Sequence, residues 1–110
     1  MRSNLLSAKV NISLDSTYVK ENEPAGSVIG HVTARTSDPN DTLVFQLDDD
    51  ANGTFALVSG KAVNSRDLVT TRPLDYEEEN EYDVVIRVYG SGGATNFEVF
   101  RIQVRNILQY

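Results

Sequence analysis

The stretch YDVVIRVYGSGGATNFEVFRIQVR, residues 82–105, contains two runs in which apolar and polar residues alternate. Apolar side chains recur at positions 84, 86 and 88 in the first run and at 100, 102 and 104 in the second. A period of two is typical of half-buried β-strands. Ser91, Gly92 and Gly93 lie between the runs and favour a hairpin loop. The stretch therefore predicts two antiparallel strands.

Shorter alternating runs precede this hairpin, at residues 10–14, 28–35, 43–47, 55–57 and around Leu68. Turn residues separate them, and no part of the chain shows a sustained helical period. This pattern predicts an all-β fold, a seven-strand Greek-key β-sandwich of the immunoglobulin-like kind.

The alternation also predicts which side chains are buried. In the run at residues 28–35, one face carries Val28, Gly30, Val32 and Ala34, which leaves His31 on the opposite, solvated face. We expect a single core that includes Val32, Phe45, Phe55, Val84, Ile86, Phe100 and Ile102.

The length of 110 residues predicts one domain that covers residues 1–110, with residues 1–8 as a disordered N-terminal extension. No apolar run is long enough to span a membrane, so we expect no direct membrane insertion of this segment. The apolar start is also too short for a signal peptide, so a secreted protein would contain this chain as an excised piece.

The net charge of −6 repels phosphate backbones and argues against a nucleic-acid partner. Acidic residues concentrate in residues 36–60 and 73–86, and neither segment contains Lys or Arg. We therefore hypothesise that each segment could bind a cation. The chain has one His and no Cys, whereas nucleophilic catalysis and zinc–thiolate sites depend on these residues. We therefore expect no enzymatic activity.

Two motifs contain oxygen ligands in a regular pattern. Residues 48–53, DDDANG, match the first half of an EF-hand loop, but Ser59 stands where the bidentate carboxylate belongs. A polar hairpin loop, with Asn52 and Gly53 at positive φ, is the favoured interpretation. Residues 74–77, LDYE, place two carboxylates where both could reach one Ca²⁺ ion, although such a charge run alone is more often a solvated loop.

Three sequons begin at Asn11, Asn40 and Asn52 and would accept glycans in a eukaryotic secretory pathway. They favour a glycoprotein with an extracellular location.

Taken together, residues 19–30 (VKENEPAGSVIG), 32–34 (VTA), 52–55 (NGTF), 74–77 (LDYE) and 82–88 resemble a cadherin repeat. The resemblance covers nearly the whole chain. It implies a cadherin-like sandwich that is one unit of an extracellular or cell-surface string. It further implies that the partners are neighbouring domains of the same chain and another adhesion protein, with calcium at the junctions.

Carried over residue by residue, the resemblance implies calcium ligands at Glu21, Asp75 and Glu77, and a surviving Asp38 at the opposite end. The acidic linker expected after the last strand is replaced by residues 104–108, VRNIL. Since ligand charge and number set calcium affinity, we expect a weak or partial calcium site.

Two alternatives remain open on the sequence. One is a carbohydrate-binding sandwich of a secreted enzyme, although the five Tyr residues show no spacing that aligns them as a platform. The other is a calcium-independent module that associates through an edge strand.

Overall fold

A computed structural model describes residues 9–107 as two four-stranded β-sheets packed face to face. The strands are β1 Val10–Leu14, β2 Tyr18–Lys20, β3 Val28–Thr36, β4 Leu43–Asp49, β5 Phe55–Ser59, β6 Ser65–Thr70, β7 Glu81–Gly90 and β8 Thr95–Arg105. The first sheet has the order β1-β3-β6-β5 and the second β2-β8-β7-β4. None of the elements in residues 9–107 is a helix able to span a membrane.

This arrangement confirms the predicted all-β Greek-key sandwich. The structure adds the short strand β2 to the seven strands expected from the alternation, and β2 pairs with β8 in parallel. The other strand pairs are antiparallel. The predicted N-terminal extension, residues 1–8, lies outside the described residues.

The chain crosses from the first sheet to the second between β1 and β2. At this crossing the Asp15 N–H donates to the His31 carbonyl at 3.3 Å, and the His31 N–H donates to Asp15 Oδ1 at 2.6 Å. The backbone passes so close to β3 that a Cβ on Gly30 would lie 2.5 Å from the Ser16 carbonyl oxygen. Residue 30 must therefore lack a side chain, a role that only glycine fills.

The core lies between the inner faces of the two sheets. Its largest fully buried side chains include Phe55, Leu68, Leu74, Ile86 and Ile102. Phe55 also packs edge-to-face on Tyr82, with the ring centroids 5.3 Å apart.

Five of the seven predicted core residues are fully buried: Val32, Phe55, Val84, Ile86 and Ile102. Phe45 and Phe100 are only half-buried at the margin of the core, so the expectation of full burial was wrong for these two. Phe45 lies on the edge strand β4, with the Arg66 guanidinium 4.5 Å from its ring centroid. Phe100 lies on a part of β8 that β2 does not cover, because β2 pairs only with residues 103–105.

The predicted buried face of β3 was wrong at its first position. Val28 is 50% exposed, and Ile29 is buried in its place. The cause is a β-bulge between Val28 and Gly30 in the pairing with β6, which shifts the alternation by one residue. From Gly30 onward the prediction holds, since Val32 and Ala34 are buried and His31 is exposed.

The predicted β7–β8 hairpin loop is present. The prediction of a hairpin loop at residues 48–53 was wrong, because β4 belongs to the second sheet and β5 to the first, so the loop connects the two sheets, although its tight turn is present. Asn52 and Gly53 have φ angles of 58° and 79°, and Asp50 Oδ1 accepts a hydrogen bond from the Gly53 N–H. The β7–β8 loop turns at Gly93, whose φ is 103°. The carboxylates of residues 49 and 50 therefore stabilise a tight turn by accepting backbone N–H groups.

We predict that Phe55→Ala lowers the free energy of unfolding by about 3 to 5 kcal/mol, because it leaves a cavity that the sheets cannot close. The half-exposed Phe97 provides the matched control, and Phe97→Ala should cost clearly less. Urea unfolding of both variants measures the difference. Equal losses would contradict the assignment of Phe55 to the centre of the core.

Candidate metal sites and contact surfaces

Glu21 joins three segments at the end of the sandwich where β2 and β8 terminate. Its backbone N–H donates to the Arg105 carbonyl at 3.0 Å. Its carboxylate is buried and accepts two further backbone hydrogen bonds, from Tyr76 to Oε1 at 3.1 Å and from Ile107 to Oε2 at 2.9 Å. Bonds to a carboxylate are stronger than those to a neutral acceptor, so Glu21 holds this end together.

The LDYE segment forms a tight turn beside Glu21. Leu74 is 2% exposed and anchors the turn in the core, and its carbonyl accepts the Asn22 N–H at 2.8 Å. Asp75 Oδ1 accepts the Glu77 N–H at 2.9 Å, which closes the turn. The Asp75 and Glu77 side chains are exposed. Hence three predicted calcium ligands lie on neighbouring segments at one end.

The three predicted ligands, Glu21, Asp75 and Glu77, are fewer than a calcium ion needs. Calcium takes six to eight oxygen ligands, whereas residues 9–107 contain no group of three or more His, Cys, Asp or Glu side chains arranged to hold a metal. Both Glu21 oxygens are already engaged with backbone N–H groups, and the segment after β8 contributes Asn106 and Ile107 instead of acids. Ligation by Glu21, Asp75 and Glu77 stays a prediction.

The opposite end of the sandwich contains Asp38, whose role as a ligand also stays a prediction. Its Oδ1 accepts the Asn40 N–H at 2.9 Å, so it stabilises the β3–β4 loop.

Asp41, in the same loop, was not singled out by the sequence. Its Oδ1 accepts the Gly92 N–H at 2.7 Å and the Ser91 hydroxyl at 3.0 Å, and its Oδ2 accepts the Thr36 hydroxyl at 3.1 Å. The hydrogen bond from the Gly92 N–H is the largest cause that lowers the pKa of the Asp41 carboxyl, and the bonds from the two hydroxyls lower it further. A Cβ on Gly90 would lie 2.5 Å from Asp41 Oδ2, so the contact depends on a glycine.

An exposed apolar patch covers part of the outer face of the second sheet. We call it the outer patch, and it consists of Val44, Tyr89, Phe97 and Val99, which are 56%, 40%, 50% and 55% exposed. Val44 pairs with Tyr89 across β4 and β7, and Phe97 is diagonal to Tyr89, so the side chains are neighbours on one face.

Arg87 lies within this patch. It donates to Asp48 Oδ2 at 2.6 Å, and its guanidinium lies 4.9 Å from the centroid of the Phe97 ring. The ring and the ion pair hold the arginine flat over part of the patch.

The three sequon asparagines are all exposed. Asn11 lies on β1 of the first sheet, and Asn40 and Asn52 lie in loops. None of them stands on a strand of the second sheet, which carries the outer patch.

The fold and the two ends define a β-sandwich module of the cadherin type, and comparison with known proteins agrees. A family model described as a cadherin domain matches residues 15–105. Protocadherin-20 of Mus musculus is 31% identical over 88 residues, and that of Homo sapiens is 33% identical over 88 residues. In both cases the alignment covers 79% of this chain but only 9% of the relative. The chain belongs to the cadherin family.

Solved structures show the same fold. PcdhgB3 EC1-4 superposes with a TM-score of 0.78 at 22% identity, covering 92% of this chain and 25% of that one. A protocadherin gammaB7 EC3-6 cis-dimer structure gives a TM-score of 0.73 at 24% identity, covering 91% of this chain and 25% of that one.

We predict that the Asp41 contact contributes stability that is lost in acid. Because its folded-state pKa is lowered, the contribution is complete above the ordinary Asp value of 3.8 and disappears as pH falls through the lower folded-state value. Unfolding of the parent chain and Asp41→Asn, measured from neutral pH downward, should give a stability difference that narrows in this acid range. A difference that stays constant with pH would contradict this role.

Proposed function

We propose that this chain is one extracellular module of a longer cell-surface or secreted adhesion protein, with a spacing and contact role and no catalytic one. The observation that carries the proposal is the position of the two ends. The Lys9 N–H donates to Ser37 Oγ at the end that contains the β3–β4 loop, whereas the Ile107 N–H donates to Glu21 at the other. Neighbouring domains attached at both ends would therefore continue in line.

Family membership supports this proposal in two ways. The relatives are protocadherins, and the chain spans less than a tenth of their length, as one unit of a longer protein would. The three exposed sequons agree with an extracellular location.

We further propose that the outer patch contacts another adhesion protein of the same kind. Exposed aromatic side chains together with an arginine are the residues that most often dominate protein–protein contacts. Tyr89, Phe97 and Arg87 provide this combination on one face. The cis-dimer described for protocadherin gammaB7 is a precedent for contact between such proteins.

The alternative of a carbohydrate platform receives less support. Tyr82 is buried, and the exposed Tyr18 has the Arg105 guanidinium 4.2 Å from its ring centroid. Tyr18 on β2 pairs with Gln103 on β8, and Gln103 pairs with Glu81 on β7. Tyr18 is therefore at the height of Glu81, which is eight residues along β7 from Tyr89. At about 3.3 Å per residue these two rings are roughly 26 Å apart, too far to stack on one sugar.

We predict that a charge in the outer patch abolishes contact between copies. Beads coated with the parent chain should aggregate, and Val99→Asp should prevent aggregation because it buries an unpaired carboxylate in the contact. Val63→Asp is the matched control, since Val63 is 82% exposed and lies in the β5–β6 loop away from the patch. Equal behaviour of the two variants, or no aggregation of the parent, would contradict the proposed contact surface.

We also propose that calcium binds weakly at the end that contains Glu21, Asp75 and Glu77. Carboxylates close together repel one another, and an ion that neutralises them stabilises the folded state. The missing acids after β8 limit the oxygen ligands that this chain can supply, so the module alone binds calcium weakly and a neighbouring domain would add further ligands.

We predict a dissociation constant at or above the weak extracellular range of about 10⁻⁴ to 10⁻³ M. The free energy of unfolding should rise by about 1.4 kcal/mol at ten times the dissociation constant, and magnesium should do less. Glu77→Gln should remove most of the gain, whereas Glu98→Gln, an exposed residue on β8, should not. A melting temperature that does not change well above millimolar calcium would contradict calcium binding by the single module.

A further inference from the structure

Three side chains outside the ends of the module meet on the outer face of the first sheet. Asp15 follows β1, His31 lies in the middle of β3, and Asp67 pairs directly with His31 across β3 and β6. Their contacts are not explained by the adhesive role or by the calcium ligands.

Asp15 determines the orientation and tautomer of the His31 ring. Its Oδ1 accepts the His31 backbone N–H at 2.6 Å, and its Oδ2 lies 2.9 Å from His31 Nδ1. The hydrogen bond from the His31 backbone lowers the pKa of the Asp15 carboxyl most, and the bond with the ring lowers it further. Asp15 is therefore ionised at neutral pH. An ionised carboxylate only accepts hydrogen bonds, so Nδ1 carries the proton. In the neutral ring Nε2 then presents a lone pair.

Nε2 lies near a carboxylate oxygen for which the described part of the chain supplies no donor. Asp67 Oδ1 lies 3.8 Å from Nε2, is shielded from solvent and has no hydrogen-bond partner within residues 9–107. Two acceptors thus face each other across a gap too wide for a good hydrogen bond. A buried carboxylate oxygen without a partner is costly, and a cation between the two atoms would satisfy both.

The separation suits a transition-metal ion. Zinc lies about 2.1 Å from imidazole nitrogen and about 2.1 Å from carboxylate oxygen. These lengths span 3.8 Å at a nitrogen–metal–oxygen angle of about 130°, and closing the gap by about 0.4 Å gives a tetrahedral angle. Mixed nitrogen and oxygen ligands favour such ions over calcium, which prefers oxygen alone.

The surroundings fit a metal ligand as well. A carboxylate on the far nitrogen of a ligating histidine is the usual means of fixing its tautomer and raising its basicity, and Asp15 occupies that position. The His31 side chain is 46% exposed, so an ion could reach Nε2 from solvent.

We propose that the module binds a divalent transition-metal ion of the zinc class between His31 Nε2 and Asp67 Oδ1. Asp15 is the positioning residue, and water completes the coordination. Since two protein ligands hold the ion, the site is a readily exchanging surface site that would respond to the extracellular metal concentration.

A zinc titration of the chain, followed by the ring resonances of His31, tests the proposal. The chain has one His and no Cys, so a histidine shift reports this residue alone. Zinc should shift the ring resonances at neutral pH, and an excess of calcium should not reverse the shift. Asp67→Asn should weaken binding by about tenfold or more, and Asp15→Asn by about 10- to 100-fold.

Asp83→Asn is the matched control, because Asp83 is an exposed carboxylate on the second sheet. The zinc affinity of this variant should equal that of the parent chain. Backbone amide spectra of all variants establish that they remain folded, and Asp67→Gln provides a second variant if Asp67→Asn does not fold. The proposal is overturned if millimolar zinc leaves the ring unshifted, or if Asp67→Asn binds as tightly as the parent. It is equally overturned if only acidification shifts the ring, since a proton would then be the sole cation bound.

Discussion

The crossing of the chain from one sheet to the other between β1 and β2 is the constraint on which the rest of the structure depends. It requires a glycine at position 30, because the Ser16 carbonyl occupies the space of a side chain. It also requires a group that satisfies the β3 backbone where β1 leaves, and the Asp15 carboxylate supplies it. Once the chain has crossed, β2 pairs with β8, which places Glu21 beside Arg105 and within reach of Tyr76.

Both ends of the sandwich are closed by carboxylates that accept backbone N–H groups. Glu21 binds Tyr76 and Ile107 at one end, and Asp41 binds Gly92 at the other. These bonds hold the loops together. A carboxylate that already accepts backbone N–H groups gains less from a cation than one that is free, so the same contacts that order the ends reduce the advantage of binding calcium.

The sequence predicted most of the fold because alternation is a local signal. The β7–β8 hairpin shows it most clearly, since its inward residues Val84, Ile86 and Ile102 are completely buried. The signal failed where a distant strand decides the outcome. Val28 is exposed because the bulge arises from pairing with β6, and Phe100 is half-buried because β2 does not extend alongside it.

The candidate sites were predictable to different degrees. Glu21 and Asp75 were found from their motifs, and the structure places both at one end. Asp41 was missed because its partner Gly92 is 51 residues away and offers no motif. The meeting of Asp15 and Asp67 around His31 depends on the crossing and on the β3–β6 register, neither of which a single sequence reveals.

The parallel pairing of β2 with β8 has a mechanical consequence. In a string of modules, tension would pull the early strands and β8 toward opposite ends of the sandwich. Because β2 and β8 run side by side in the same direction, the load acts along the strands, and the hydrogen bonds of the pair must break together instead of one after another. The buried Glu21 adds one more bond at the same junction, because its Oε2 accepts the Ile107 N–H from the segment after β8. In such a string the β2–β8 pair would therefore separate by shear and not by unzipping.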